Sequence, residues 1–154
     1  MNWQVRALES GDGEALALLH RRAILATSTS FYSTEQLASW AAGLRPEGYI
    51  AEPGGWFDVV TAEGRVVAFC DQVAEEVCGL YVDPNWHGHG IGSALMRLAE
   101  DRMRAAGVPV ARVHAALSSQ SFYERCGFRV TEFTAHPTRG GLVLPSVRLH
   151  KPIG

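Results

Sequence analysis

Apolar and polar residues alternate along Trp3-Gln4-Val5-Arg6-Ala7-Leu8, the pattern of a strand with one buried face. The period then lengthens. Between Asp12 and Ala26, Leu16, Leu19 and Ala23 recur at helical spacing, with Ser10 or Asp12 placed to cap the first free N–H groups. Ser33-Thr34-Glu35-Gln36 reads as a capping box, because a serine three residues ahead of a glutamine lets each side chain satisfy the other's backbone N–H. A second helix is therefore expected from about Thr34 to Ala42. Pro46, Gly48, Pro53, Gly54 and Gly55 mark the next stretch as loop. Beyond it, Trp56-Phe57-Asp58-Val59-Val60-Thr61 and Val66-Val67-Ala68-Phe69-Cys70 flank Ala62-Glu63-Gly64-Arg65 and predict a hairpin, followed by a strand from Glu76 to Val82. The strongest helical pattern runs from Gly90 to Ala106, with Ile91, Ala94, Leu95, Leu98 and Met103 on one side and Gly107 and Pro109 closing it. A strand from Val110 to Ala115, a short helix from Ser119 to Cys126 stopped by Gly127, and strands Phe128 to Phe133 and Ser146 to His150 complete the chain. The order β-α-α-β-β-β-α-β-α-β-β predicts an α+β sheet with helices on its faces. With no internal repeat or linker, one domain over residues 1–154 is expected.

Composition narrows the partners. A chain of 154 residues with 47% hydrophobic and 19% charged positions has the makeup of an ordinary globular core. Its net charge of -2 comes from 14 basic and 16 acidic residues with no long run of either sign, so the basic stripe that nucleic acid requires is missing. No apolar stretch approaches the ~18 residues of a membrane helix, and Met1-Asn2-Trp3-Gln4-Val5-Arg6 lacks the form of a signal peptide. No membrane partner is expected, and the cytoplasm is the expected compartment. Cys70, Cys78 and Cys126 are odd in number and form no Cys-x-x-Cys pair, which disfavours a disulfide framework or zinc site and reads them as small buried apolar residues. The six histidines, His114 and His150 among them, show no metal-ligand spacing, and no metal is expected.

The candidate chemistry lies in Leu80-Tyr81-Val82-Asp83-Pro84-Asn85-Trp86-His87-Gly88-His89-Gly90-Ile91-Gly92-Ser93, which runs from a strand through a tight loop into a helix. The first turn of a helix carries unpaired N–H groups and partial positive charge, and residues without a Cβ let a phosphate reach both. An anion, read as a pyrophosphate, is expected there. A P-loop would need a lysine after the last glycine, and none stands nearby. A dinucleotide fingerprint would need a third glycine where Ser93 stands, and an acidic residue that the strand Val110 to Ala115 does not supply. A bare strand-to-helix connection would not require three glycines among Gly88 to Gly92, given their entropic cost.

Val82-Asp83-Pro84 followed by His87-Gly88-His89-Gly90-Ile91-Gly92-Ser93-Ala94-Leu95 resembles the coenzyme A-binding motif of the GNAT superfamily of N-acetyltransferases, Gln/Arg-x-x-Gly-x-Gly/Ala. Gly90 and Gly92 agree with it, whereas His87 stands where the family usually has Gln or Arg and His89 where Arg is frequent. Further on, Ala116-Leu117-Ser118-Ser119-Gln120-Ser121-Phe122-Tyr123-Glu124-Arg125-Cys126-Gly127-Phe128 resembles the family's Phe-Tyr-Glu-x-x-Gly-Phe segment, with Ser118 at a position that is often Asn. The resemblance implies a mixed, mostly antiparallel sheet flanked by about four helices, acetyl-CoA as co-substrate, and direct transfer of its acetyl group to a primary amine in a ternary complex. It also implies a coenzyme site made by Leu80, Tyr81, Val82, His87, Gly88, His89, Gly90, Ile91, Gly92, Ser93 and Ser118. Tyr123 falls where the family commonly protonates the departing thiolate; a phenol near pKa ~10 opposite a thiol near ~8.5 acts as a hydrogen-bond donor rather than a strong acid.

A base matters in proportion to the amine. A lysine-type amine is neutral in only about one molecule in 2500 at pH 7, a cost of ~4.6 kcal/mol, against ~1 kcal/mol for an α-amine. Glu76, beside Glu75 at the start of the strand leading to the loop, is the base the resemblance implies, since the family often carries there an acidic residue that acts directly or through water; a solvated hairpin charge is its plain alternative. Cys78 as an acetyl-accepting nucleophile lacks an adjacent base. The resemblance also implies that the acceptor, a small molecule or a peptide amine, lies against the first two helices and their loop, here His20 to Trp40, with Phe31, Tyr32 and Trp40 as walls; few carboxylates stand there apart from Glu35, which favours a small or moderately apolar amine. A non-catalytic coenzyme A-binding sensor on the same fold, a hydroxyl acceptor and a longer acyl donor remain alternatives, and assembly as a homodimer is left open.

Overall fold

The computed structural model describes residues 2–154. Strands β1 (Trp3–Ala7), β2 (Gly55–Ala62), β3 (Arg65–Val73), β4 (Glu76–Val82), β5 (Val110–Ala116), β6 (Arg129–Pro137) and β7 (Val143–Pro152) form one sheet in the order β1-β2-β3-β4-β5-β7-β6. Every neighbouring pair is antiparallel except β4 and β5. Helices α1 (Gly13–Leu25), α2 (Thr34–Ala41), α3 (Ile91–Ala105) and α4 (Gln120–Arg125) complete the expected order.

Strand alternation sorts the core into two faces. Val60, Ala68 and Cys70 point to one side and pack with Leu95, Met96, Ala99 and Met103 of α3 and with Tyr123 of α4. Phe57, Val59 and Phe69 point to the other, against Leu16 and Leu19 of α1, next to a layer of Ile24, Tyr32, Leu37 and Ala41. The β2–β3 turn is tight because Glu63 and Gly64 both take positive φ, 53° and 73°, which turns the chain in two residues. The capping box at Ser33 and Gln36 forms in both directions, with N···O distances of 3.1 and 2.8 Å.

Several local readings give way to tertiary contacts. Asp12 occupies the N-cap of α1 but makes no cap bond to the helix. Its carboxylate is instead held by Arg6 through two 2.8 Å bonds and by the Glu9 amide, which keeps it below the usual carboxylate range. β1 lies at the sheet edge and shows no regular alternation of burial, with Val5 exposed. On α3 the buried stripe includes Met96 and Ala99, while Ala94 and Leu98 sit at its margin. Cys70 is buried as expected, but Cys78 is exposed.

The feature that shapes the site is in β4. Opposite Asp71 and Gln72 of β3 stand Gly79 and Val77, so Cys78 is an extra, unpaired residue. Such a bulge bends its strand and increases the local twist. β4 accordingly pairs with β5 only at Glu76↔Arg112 and Val77↔Val113, and from Cys78 onward the two strands diverge.

Candidate active site

Divergence of β4 from β5 leaves one edge of β4 without a partner strand. The Asp83 amide donates to Val67 O at 2.7 Å, toward β3. Alternation along the strand therefore turns the backbone groups of Tyr81 toward β3 and those of Leu80 and Val82 toward the opening. His87 Nε2 lies 3.2 Å from Val82 O, which marks that carbonyl as facing out and makes His87 a donor to the strand end.

Beyond Val82, the Asp83 carboxylate accepts from the Asn85 amide at 2.9 Å and pairs with Arg22 at 3.1 Å, fixing the strand end to α1. The chain then reverses through Gly88 and Gly90, with φ of 79° and 77°, values that side chains with a Cβ rarely adopt. Gly90 is the N-cap of α3, and no side chain caps that helix. Among the described residues, no acceptor meets the amides of Gly88, His89, Gly90, Ile91, Gly92 or Ser93. A Cβ built on Gly88 or Gly90 would enter open space, whereas one on Gly92 would stand 3.0 Å from the Phe122 ring. Gly92 thus lets α4 pack closely, and the other two leave the amides uncovered. A run of free donors at the positive end of a 15-residue helix fits an anionic phosphate group.

These amides open on a cavity of about 630 Å³ between β4, the glycine turn, α4 and the end of α1. Leu80, Tyr81, Val82, His87, Gly88, Gly90, Ile91, Gly92, Ser93, Ser118 and Tyr123 all line it. Tyr123 is 4% exposed, its ring set edge-on to Phe122 and Phe128 at 5.1 and 5.8 Å. Its hydroxyl has no hydrogen-bond partner among the described residues, and burial pushes the phenol well above its ordinary pKa. A phenol so placed stays protonated and offers its O–H to whatever occupies the cavity.

On the far side of Tyr81 and Trp40 lies a second basin. One part, about 1090 Å³, is lined by His20, Arg45, Tyr49, Phe57, Phe69, Asp71 and Arg139, and a smaller part of about 220 Å³ by Tyr32, Glu76, His114 and Ser146. Both parts share Trp40, Cys78, Tyr81, His136 and Thr138. Tyr81 and Trp40 also line the first cavity, so they form the partition between the two spaces.

The family model described as an acetyltransferase (GNAT) domain matches residues 53–130, half of the chain. The chain belongs to the GNAT acetyltransferase family. It is 26% identical over 154 residues to the N-acetyltransferase YafP of Escherichia coli K12, covering 98% of this chain and 97% of that one. Its fold is similar to that of a GCN5-related N-acetyltransferase from Rhodopseudomonas palustris, with a TM-score of 0.85, 21% identity and coverage of 99% and 96%. It is also similar to the PaiA N-acetyltransferase of Thermoplasma acidophilum, solved with coenzyme A, with a TM-score of 0.70, 21% identity and 99% coverage of both chains.

Within this acetyltransferase, two expected site residues stand apart from the rest. The His89 ring is turned back onto Trp86, 5.1 Å between centroids, with Nδ1 at 3.2 Å from Trp86 O and 3.1 Å from His87 O. Only its amide faces the turn, because two backbone carbonyls claim the imidazole. Glu76 lines the smaller part of the second basin, four residues before Leu80 and so about 13 Å away along an extended strand. Cys78 faces both parts of the basin, and partial desolvation of this exposed residue's thiol, together with Asp71 and Glu76, pushes it up to about 11, which keeps it from acting as a thiolate nucleophile. Of the three expected acceptor walls, Tyr32 and Trp40 line the second basin, but Phe31 lines the first cavity.

Other residues carry no local signal. Ala23, Ala26, Thr27 and Ser28 reach the first cavity from the end of α1, where small side chains leave room. His20 is half-buried between Tyr49, Phe69 and Tyr81, and desolvation holds its pKa down to about 4. Among the described residues no three His, Cys, Asp or Glu side chains are placed to hold a metal ion, and no helix is long and apolar enough to cross a membrane.

Proposed function

We propose that this acetyltransferase moves the acetyl group of acetyl-CoA directly to a primary amine while both substrates are bound. The observation that carries this reading is the pair of spaces meeting at Tyr81 and Trp40, one opening on unpaired helix amides and the other on aromatic walls. Acetyl-CoA, when bound, supplies the activated acetyl group. The amides of Gly88 to Ser93 would hold its pyrophosphate, the open edge of β4 at Leu80 and Val82 would pair with its amide-bearing arm, and Ser118 would line the same path. Tyr123 would donate its hydroxyl proton toward the departing sulfur, and a carboxylate of the second basin would take the proton of the amine. Structures of this fold solved with coenzyme A or acetyl-CoA support the donor assignment, and an aminoglycoside 6'-N-acetyltransferase and a spermidine N-acetyltransferase among them support an amine acceptor.

Calorimetric titration with acetyl-CoA, and with NADH and ATP as controls, tests the reading. Micromolar binding of acetyl-CoA is expected, and Gly90→Val should abolish it by placing a β-branched residue at φ 77° and a side chain in the open cradle. A folded wild-type protein that binds no acetyl-CoA would refute the assignment.

A further inference from the structure

Resting on that reading, we infer that Asp71 is the group that receives the acceptor's ammonium in the second basin and removes its proton, and that the acceptor is an aryl-alkyl amine. Asp71 lies in β3 directly opposite Gly79, next to Leu80 at the point where β4 leaves β5. It is therefore placed beside the partition, whereas Glu76 is at the far end of the strand. Its Oδ1 is buried without a hydrogen-bond partner, and its carboxylate makes no ion pair among the described residues. An unpaired carboxylate in such a place is costly, and a cationic ligand offsets that cost. The surrounding walls are the faces and edges of Tyr49, Phe57, Phe69, Tyr81 and Trp40, surfaces that accept both an ammonium and an aromatic ring.

The charged and titratable neighbours favour this role. Desolvation, with a smaller contribution from Glu52, raises the Asp71 carboxyl to about 6, close to the range in which a base accepts a proton and returns it to water at neutral pH. His20 of α1, also facing the basin, stays uncharged there, and Tyr49 and Cys78 are held protonated by partial desolvation, at about 12 and about 11. Arg45, Glu47, His136 and Arg139 are exposed residues of the same lining. The step balances as follows. Asp71 Oδ2 takes one proton from R–NH3+, and the freed lone pair forms the N–C bond to the acetyl carbon. The C–S bond breaks, and the sulfur takes the Tyr123 hydroxyl proton. The second proton leaving the nitrogen restores that hydroxyl, and Asp71 releases its proton to solvent.

The test uses phenethylamine and acetyl-CoA with release of free thiol as readout, comparing the parent with Asp71→Asn and Glu76→Gln from pH 5 to 9. Asp71→Asn is expected to lower kcat/KM by ~10²-fold or more and to remove the acidic limb near pH 6, leaving acetyl-CoA affinity unchanged; Glu76→Gln should keep the limb. The Asn variant should melt above the parent at pH 8, since it relieves a buried unpaired charge, and this shows that it folds. Retention of the limb, or activity within ~3-fold of the parent, overturns the assignment. So does a phenethylamine-insensitive Asp71 carboxyl resonance in a parent that binds acetyl-CoA. Loss of acetyl-CoA binding by the parent itself would instead refute the underlying function.

Discussion

Removing one oxygen from each of two buried tyrosines should have opposite effects. Tyr32 is 1% exposed, and its hydroxyl donates to Pro145 O at 2.7 Å while accepting from the Leu117 amide at 2.8 Å. Tyr32→Phe leaves a backbone N–H and a backbone C=O without partners, at ~1–3 kcal/mol each, so a loss of ~2–4 kcal/mol is expected after some relaxation. For a chain of this size each kcal/mol lowers the melting temperature by roughly 2–4 °C, giving a fall of roughly 5–15 °C. The Tyr123 hydroxyl has no protein partner, so Tyr123→Phe should melt within ~2 °C of the parent. Its cost should fall on kcat, by ~10²-fold or more, equivalent to ~2.7 kcal/mol of transition-state stabilisation. Calorimetric melting and thiol release at saturating substrates measure both variants. If Tyr32→Phe melts with the parent, the hydrogen-bond argument fails. If Tyr123→Phe lowers the melting temperature as much as Tyr32→Phe does and leaves kcat intact, Tyr123 is a packing residue and the proton-donor role is wrong.

Other consequences are testable on the same protein. Arg102, stacked 4.2 Å over the Trp56 ring, forms the ion pair of the buried Asp58, so Arg102→Ala should cost ~3–5 kcal/mol in urea unfolding, and adding Asp58→Asn should recover part of it. His20 is held neutral in the folded chain down to about pH 4, while the unfolded chain takes a proton below about 6.5. Stability should therefore fall by roughly 3 kcal/mol as pH drops through that window, and His20→Leu should flatten the fall relative to the parent in urea midpoints at pH 7 and 4.5. An unchanged pH slope in that variant would show that His20 is not the group responsible.

The parts legible in the sequence are those whose chemistry is written locally. The glycine turn, its strand and its helix fall within Leu80 to Ser93, and positive φ at Gly88 and Gly90 is what their side-chain-free backbone allows. Tyr123 was legible through the motif around it, and Ser33 with Gln36 through a three-residue spacing. The second basin was not, because β-sheet pairing assembles it: Asp71 meets Gly79 across the β3–β4 ladder, and His20 arrives from α1, packed on that same face. Asp12 and His89 show the same limit at short range. Each has a suitable side chain for its expected role, and each is claimed by a partner, Arg6 in one case and two backbone carbonyls in the other.

The extra residue in β4 acts as a change of phase. Successive side chains of a strand point to opposite faces, so inserting one residue exchanges the two sets beyond it. With Cys78 in place, Leu80 lies near the Phe122 side of the sheet and Tyr81 stands among His20, Phe69 and Trp40. A β4 of regular register would send the tyrosine toward the helix that follows the glycine turn and a leucine into the aromatic basin. It would also continue its ladder to β5 and close the gap. One unpaired position thus determines both that there are two chambers and which side chain each of them receives.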